Sequence, residues 1–145
     1  MNQTIDRFTG EYDFLSNFYP CRVEFEGDWY PSVEHAFQAA KTFDREKRIA
    51  AAVAPTARSV KEFGKNRIKL REDWEEVKDG VMYECVKSKF AGDLELKRKL
   101  LATGNALLIE GNSHKDRYWG VYRGEGRNML GQTLMRVREE LQNEH

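Results

Sequence analysis

The stretch that most constrains the fold runs from residue 31 to residue 43 and reads PSVEHAFQAAKTF. Ser32 stands where a helix N-cap is needed, because its side-chain oxygen can accept a hydrogen bond from the first turn. Apolar residues then recur at the i, i+3, i+4, i+7 spacing of a buried helix face. They are Val33, Ala36, Phe37 and Ala40. This pattern predicts a helix with one face in the protein core.

A row of polar residues lies about 100° around the same predicted helix. Glu34, Gln38 and Lys41 place a carboxylate, an amide and an amine along it. The row is either a solvated flank, with Glu34 complementing the helix dipole, or a set of functional groups beside the core. The Cα atoms of Glu34 and Lys41 are expected roughly 10 Å apart, so their side chains can converge over Gln38.

Length and charge limit the class of protein. With 145 residues, the chain is expected to form one domain, 1–145, with a core that needs no disulfide. Lys plus Arg and Asp plus Glu both number 24, and this balance disfavours indiscriminate nucleic-acid binding. No apolar run reaches membrane-spanning length, a signal-peptide pattern is missing, and two cysteines fit a reducing compartment. We therefore expect a cytoplasmic protein with no membrane partner.

The remaining patterns predict a mostly helical α+β domain with a small antiparallel sheet. A β-hairpin is expected where Val23 and Phe25 alternate with charged residues before a turn and Trp29. Gly64 is expected to close the third helix, and a short strand is expected over 107–110. Further helices are expected to begin at capping residues; these are Asp44, Thr56, Asp73, Asp93 and Asn128.

Two loops concentrate polar and aromatic groups that a core does not require. The first is Leu15-Ser-Asn-Phe18, and the second runs over 112–128 and leads through glycines into a helix N-terminus, which offers N–H groups to a phosphate. In the second loop, Asp116 beside Trp119 either forms an Asx turn or lines a ligand cleft. Serine-nucleophile, reactive-thiol and metal-ligand patterns are missing from the sequence, which leaves carboxylate and lysine chemistry.

A set of segments along the chain carries a family pattern: Phe14-Leu-Ser-Asn-Phe-Tyr-Pro20, Ser32-Val-Glu-His-Ala-Phe-Gln-Ala-Ala-Lys41, Trp74, Lys89-Phe90, Leu101-Ala-Thr-Gly104, Leu108-Ile-Glu110, Asp116-Arg-Tyr-Trp-Gly120 and Gly126-Arg-Asn-Met-Leu-Gly-Gln-Thr-Leu-Met-Arg-Val-Arg138. Taken together, these segments resemble the NADAR (YbiA-like) family. They occur in the family's order and cover nearly the whole chain. One departure is Val121-Tyr122, where many relatives have another small residue.

The resemblance implies an N-glycosidase that hydrolyses the bond between ribose C1 and a base amine. Family members act on ADP-ribosylated guanine, reversing ADP-ribosylation, or on ribosylamino-pyrimidine phosphates of the riboflavin pathway. The implied partner is a small nucleotide-sugar or ADP-ribosylated guanine in nucleic acid, and a toxin–antitoxin context is compatible with the second. We expect no metal and no other cofactor, and the sequence predicts no oligomeric state. The alternative function is a non-catalytic ADP-ribose-binding module.

The resemblance also implies the catalytic residues, which are Glu34, Lys41 and Asp116. Lys41 would form a Schiff base with the opened ribose while Glu34 moves protons. That role needs a lowered Lys41 pKa, which partial burial would supply and Glu34 would oppose. In the alternative mechanism, Glu34 or Asp116 activates water against an oxocarbenium-like C1.

The implied substrate-binding residues come from both loops and from the helices. The two tryptophans are expected to stack the base, and the amides to orient ribose or phosphate. His35 has a second interpretation as a polar residue satisfied by its neighbours. The full set is Ser16, Asn17, Phe18, His35, Gln38, Trp74, Tyr118, Trp119, Gly120 and Asn128.

Overall fold

The structure is a computed structural model that describes residues 3–144. Met1, Asn2 and His145 lie outside the described residues. Two compact units can be distinguished: one is Asn17–Gly92, and the other combines the chain up to Ser16 with the chain from Asp93 onward. No helix within residues 3–144 is long and apolar enough to cross a membrane.

The secondary structure confirms the predicted mostly helical α+β architecture with a small antiparallel sheet. Its elements, in chain order, are β1 (Thr4–Ile5), a 3₁₀ helix (Gly10–Leu15), β2 (Val23–Phe25), β3 (Asp28–Tyr30), α1 (Val33–Ala40), α2 (Arg45–Ala52), α3 (Ala57–Arg67), α4 (Trp74–Ala91), α5 (Leu94–Ala102), β4 (Leu107–Leu108) and α6 (Met129–Asn143).

Helix α1 is the central element of the Asn17–Gly92 unit. It packs against α2, α3, α4 and the β2–β3 hairpin. Ser32 begins the helix as predicted, because its hydroxyl oxygen accepts a hydrogen bond from the backbone N–H of His35 at 3.1 Å. Every residue from Val33 to Ala40 is buried. The predicted apolar face is therefore confirmed, and the polar side of the helix is also inside the protein.

Side-chain caps start most of the other helices as predicted. Asp44, Thr56 and Asp93 each accept backbone N–H bonds from the first turn of α2, α3 and α5. Asp73 occupies the N-cap position of α4 without capping it. Its carboxylate instead accepts two hydrogen bonds from the Arg71 guanidinium, at 2.6 and 2.9 Å. The expected Asp73 cap is wrong because an ion pair takes the same oxygens.

The predicted end of α3 at Gly64 is also wrong. The helix continues to Arg67, and Gly64 is a buried residue in its interior. Its φ does not lie in the left-handed region that a glycine C-cap adopts. Packing explains the glycine, because a Cβ at residue 64 would overlap the Gln38 side chain of α1.

The second unit contains a parallel pair of strands that was not predicted. Thr4 lies opposite Leu107, and Ile5 lies opposite Leu108. Helix α6 packs against β4 and α5. The core-facing side of α6 carries four buried apolar residues, which are Leu130, Leu134, Val137 and Leu141.

Candidate active site

Two residues of the polar row on α1, Glu34 and Gln38, are buried and hydrogen-bonded to each other. Glu34 is 8% exposed and Gln38 is 4% exposed. The amide nitrogen of Gln38 donates to Oε2 of Glu34 at 2.6 Å. The interpretation of this row as a solvated flank is therefore wrong. A carboxylate and an amide removed from water are costly unless paired, so their retention here points to a positional or chemical role.

Lys41 follows directly after the last residue of α1 and is partly exposed. Its ammonium nitrogen lies 5.7 Å from the ring centroid of Phe37 and 6.0 Å from that of Trp74. The two rings pack edge to face, with centroids 5.0 Å apart. The amine therefore lies against an aromatic wall.

The pKa of Lys41 is lowered from its ordinary value of 10.5, and burial is the main cause. The carboxylate of Glu34 opposes this shift, whereas the positive charge of Lys61 adds to it. The predicted lowering of the Lys41 pKa is confirmed in direction, together with the predicted opposition by Glu34. A lowered pKa increases the neutral, nucleophilic fraction of the amine.

Trp74 lies in the core at the first turn of α4. It is 5% exposed and packs on Phe37. A ring buried to this extent presents little surface on which a base can stack. Its position beside Lys41 instead removes water from the amine.

His35 bonds to the protein through both ring nitrogens. Nδ1 lies 2.7 Å from the Ser32 hydroxyl, and Nε2 lies 3.0 Å from the carbonyl oxygen of Ala54. Burial lowers the pKa of His35, so the neutral ring donates from Nε2 to Ala54 and accepts from Ser32 at Nδ1. The two hydrogen bonds of the His35 ring therefore connect the start of α1 to the segment that follows α2.

The loop that begins at Asn17 contacts the start of α1. The backbone carbonyl of Asn17 accepts a hydrogen bond from the N–H of Glu34 at 3.1 Å. The Asn17 amide nitrogen lies 3.6 Å from the sulfur of Met82. Phe18 is 40% exposed, and the ammonium of Lys61 lies 5.9 Å from its ring centroid. An aromatic ring and a cation thus meet at the surface of this unit.

Lys89 is a buried residue that the sequence analysis quoted only as part of a segment. It lies on α4, is 1% exposed, and its ammonium nitrogen is 5.0 Å from the ring centroid of Phe90. Its spacing could have revealed it, because it lies seven and four positions after the buried residues Met82 and Cys85. A lysine so buried is a candidate for a functional role in this unit.

The other predicted loop lies in the second unit, where Asp116 forms an Asx turn. Its Oδ1 accepts the backbone N–H bonds of Tyr118 at 3.0 Å and Trp119 at 2.8 Å. Asn112 holds the turn from the other side, since its Oδ1 accepts the Asp116 N–H at 3.1 Å. The rings of Tyr118 and Trp119 meet edge to face at 4.9 Å. The turn fixes the backbone that carries both aromatic rings.

Asn128 has a left-handed backbone, with φ of 55°, and makes no side-chain cap on α6. The expected Asn128 cap is therefore wrong. Its Oδ1 accepts the Glu110 N–H at 2.9 Å, and its Nδ2 donates to the Leu108 carbonyl at 2.8 Å. Its amide is thus committed to β4 and the residues after it. Gly120 is buried, and a Cβ there would lie 2.7 Å from the Asn112 amide nitrogen.

The predicted site residues thus fall into two sets, one in each unit. The Asn17–Gly92 unit brings together Asn17, Phe18, Glu34, His35, Gln38, Lys41 and Trp74. The other unit holds Ser16, Asp116, Tyr118, Trp119, Gly120 and Asn128. Ser16 closes the 3₁₀ helix, with its N–H donating to the Asp13 carbonyl at 3.0 Å. No group of three or more His, Cys, Asp or Glu side chains within residues 3–144 is arranged to hold a metal ion.

A buried carboxylate and a partly buried amine of lowered pKa, on an α+β scaffold, define a site for acid–base and nucleophilic chemistry. The chain belongs to the NADAR domain family, whose model matches residues 6–142. It is similar to N-glycosidase YbiA of Shigella boydii, with 38% identity covering 97% of this chain and 91% of that protein. It is also similar to N-glycosidase YbiA of Escherichia coli K12, at 37% identity over the same shares.

Two further similarities concern fold and chain length. The solved NMR structure of Escherichia coli YbiA matches with a TM-score of 0.86 and 37% identity, covering 99% of this chain and 88% of that one. A riboflavin biosynthesis protein of Vibrio vulnificus is 44% identical over 136 residues, or 90% of this chain. The chain spans only 36% of the length of that Vibrio protein.

Proposed function

We propose that this protein hydrolyses the N-glycosyl bond between ribose C1 and a base amine. The substrate is ADP-ribosylated guanine or a ribosylamino-pyrimidine phosphate of the riboflavin pathway. The observation that carries this proposal is a buried Glu34 whose charge acts on Lys41, an amine with a pKa lowered by burial. The names of its relatives, an N-glycosidase and a riboflavin biosynthesis protein, support the same class of reaction.

Both proposed substrates join ribose C1 to an exocyclic amine, and such a glycosylamine can open to an imine. Glu34 protonates the ring oxygen as the ring opens, leaving a C1–N iminium ion. The neutral Lys41 amine adds to C1 and expels the base amine, which gives a lysine Schiff base. Water then adds to C1 and releases the lysine and the free sugar. One water is consumed, and the products are the base amine and the ribose compound.

Direct attack by water is the alternative route to the same products. In that route Glu34 or Asp116 activates water against an oxocarbenium-like C1. The lowered pKa of Lys41 favours the Schiff-base route, because a neutral amine is needed only there.

Two accessible aromatic surfaces are proposed as alternatives for substrate binding, each within a single unit. Phe18 is an exposed aromatic ring beside a lysine and would stack on the base, while Lys61 would bind a phosphate. Trp119 and Tyr118 are proposed as a second stacking surface, held by the Asp116 turn. Gln38 is proposed to orient Glu34, because its amide nitrogen already bonds to that carboxylate.

Whether the protein has a toxin as a partner depends on which of the two substrates it uses. A guanine adduct in nucleic acid would suit a protein paired with a guanine-modifying toxin, whereas a riboflavin intermediate would suit a metabolic enzyme. We also propose a reducing compartment such as the cytoplasm, because Cys21 and Cys85 form no disulfide within residues 3–144.

A release assay tests the proposal. The protein is incubated with ADP-ribosylated guanine in DNA and, separately, with ribosylamino-pyrimidine phosphates, and the freed base amine is measured by mass spectrometry. We expect release from at least one class and none from an O-linked ADP-ribose ester used as control. Calorimetry with ADP-ribose runs alongside: tight binding without release from any glycosylamine would favour the non-catalytic binding module.

A further inference from the structure

Gly64 is placed where a helix does not favour glycine. It lies inside α3, three residues before its last residue, Arg67. Glycine weakens a helix interior relative to alanine, because it loses more backbone freedom on folding. Its φ is not in the positive range, so the backbone conformation does not require glycine either. The reason for glycine at this position must be spatial.

The space beside Gly64 is filled by the Gln38 side chain. The three atoms nearest to a Cβ built on Gly64 all belong to Gln38, and that Cβ would overlap the amide oxygen and lie 2.6 Å from Cδ. Gly80, the glycine within α4, has nothing within 4 Å of an added Cβ. The close approach at Gly64 is therefore a feature of this contact between α1 and α3 and not of a helical glycine as such.

The Gln38 amide is held by this contact on one side and by Glu34 on the other. Its oxygen is buried and has no hydrogen-bond partner among the described residues. Its nitrogen donates to the Glu34 carboxylate at 2.6 Å. The opposite amide orientation would place the Gln38 oxygen against the Glu34 carboxylate, which is unfavourable. The hydrogen bond to Glu34 and the close contact with Gly64 therefore together determine the position of the Gln38 side chain.

We infer that Gly64 is a positioning residue for Glu34: by leaving room for Gln38, it keeps the amide nitrogen on the carboxylate. This inference rests on the proposed function only in assigning Glu34 to proton transfer. A methyl group at residue 64 displaces the amide, and the carboxylate loses a donor that stabilises its charged form. Gly64 acts without touching substrate, through one hydrogen bond.

The test compares Gly64→Ala with Gly80→Ala, a control with the same residue change in a helix but no steric contact. The titration of Glu34 is followed by the ¹³C NMR signal of its carboxyl carbon, which does not depend on turnover. We expect Gly64→Ala to raise the Glu34 titration midpoint by about 1 unit, the order expected for one lost hydrogen bond to a charged group. Gly80→Ala should leave the midpoint unchanged.

The second readout is a double-variant cycle with Gln38→Ala. We expect Gly64→Ala to lower kcat by roughly 10-fold or more with a smaller effect on KM, as a displaced catalytic group does. Added to Gln38→Ala, the same change should alter neither kcat nor the Glu34 midpoint further. If Gly64→Ala alone does not fold, folding of the double variant would show that the obstruction is Gln38.

Two results would overturn the inference, and a third would separate it from the proposed function. A Gly64→Ala protein that matches Gly80→Ala in both titration and kcat overturns the inference. So does a Gly64→Ala protein that stays unfolded when Gln38 is shortened. If the Glu34 midpoint shifts as expected while even the unaltered protein releases no base amine, the positioning role stands and the proposed function fails.

Discussion

The amide nitrogen of Gln38 donates to the Glu34 carboxylate one helical turn earlier, at 2.6 Å, and both side chains are buried. The bond joins two residues on the same face of α1, so the helix itself sets their spacing. Lys41 continues that row at the end of the helix, where Glu34 still influences its pKa. Helix α1 thus carries the proposed acid and its orienting amide, and its C-cap residue is the proposed nucleophile.

Replacing Glu34 tests proton transfer. Glu34→Gln should lower turnover by roughly 10²–10⁴ while the protein stays folded, which is the usual size of a general acid–base contribution. Steady-state kinetics and thermal unfolding measure the two effects. Glu62→Gln changes an exposed glutamate on α3 and serves as the control. A folded Glu34→Gln protein with near-normal turnover would remove Glu34 from the mechanism.

Trapping the intermediate tests Lys41 as nucleophile. Borohydride added during turnover should reduce a Schiff base to a stable secondary amine. The protein then gains the mass of the sugar phosphate or ADP-ribose group, and peptide mapping should place it on Lys41. Lys41→Arg should lose the adduct and most activity, since a guanidinium stays protonated and is a poor nucleophile. Lys61→Arg is the control and should keep the adduct; labelling at another lysine would favour direct attack by water.

The pH dependence of kcat should report the Lys41 pKa. The neutral amine is the reactive form, so activity should rise with pH through a pKa below 10.5. Lys61→Ala removes a positive charge that helps to lower the Lys41 pKa. The rise of kcat with pH, the rising limb of the pH profile, should therefore move to higher pH. Lys65→Ala, an exposed lysine on the same helix, should leave the limb in place. A limb that moves equally in both variants would mean that Lys41 does not set it.

The same shift affects stability with a definite sign. Because the folded pKa of Lys41 lies below the unfolded one, the folded protein binds fewer protons between the two values. The cost of the buried ammonium is fully present below the folded pKa and is relieved as pH rises toward 10.5. Lys41→Met should therefore stabilise the protein at neutral pH and less so at alkaline pH, as denaturant unfolding would measure. Equal stabilisation at both pH values would contradict this assignment.

Phe18 is expected to stack the base. Phe18→Ala should weaken substrate binding by about 1–3 kcal/mol, seen mainly as a higher KM, with little effect on unfolding because the ring is 40% exposed. Phe43→Ala removes a ring that is 67% exposed and should not change KM. If Trp119→Ala raises KM and Phe18→Ala does not, the base stacks in the other unit.

Two replacements of Asp116 separate turn formation from chemistry. Asp116→Asn keeps an oxygen that can accept the N–H bonds of Tyr118 and Trp119, so it should keep most of the stability and activity. Asp116→Ala loses both bonds and should cost about 1–2 kcal/mol of unfolding free energy. A loss of 10² or more in turnover for a stable Asp116→Asn protein would instead make the carboxylate a catalytic group.

Much of the helical framework could be predicted from sequence because helix starts are local events. Ser32, Asp44 and Thr56 each accept N–H bonds from residues two or three positions later. The same reasoning misplaced Asp73 and Asn128, whose side chains bond to Arg71 and to the β4 region instead. A capping residue can be identified from its neighbours, but a competing partner cannot.

The sequence by itself determined α1: its cap, its apolar face and the row of Glu34, Gln38 and Lys41 follow from interactions within four residues along the chain. Only the tertiary structure decided that Glu34 and Gln38 are buried, because α2, α3, α4 and the hairpin each cover part of the helix. The tertiary structure also decided that Gly64 makes room for the Gln38 side chain and does not end its helix. Burial and steric fit depend on elements brought together from distant parts of the chain, and no local pattern encodes which atoms will meet.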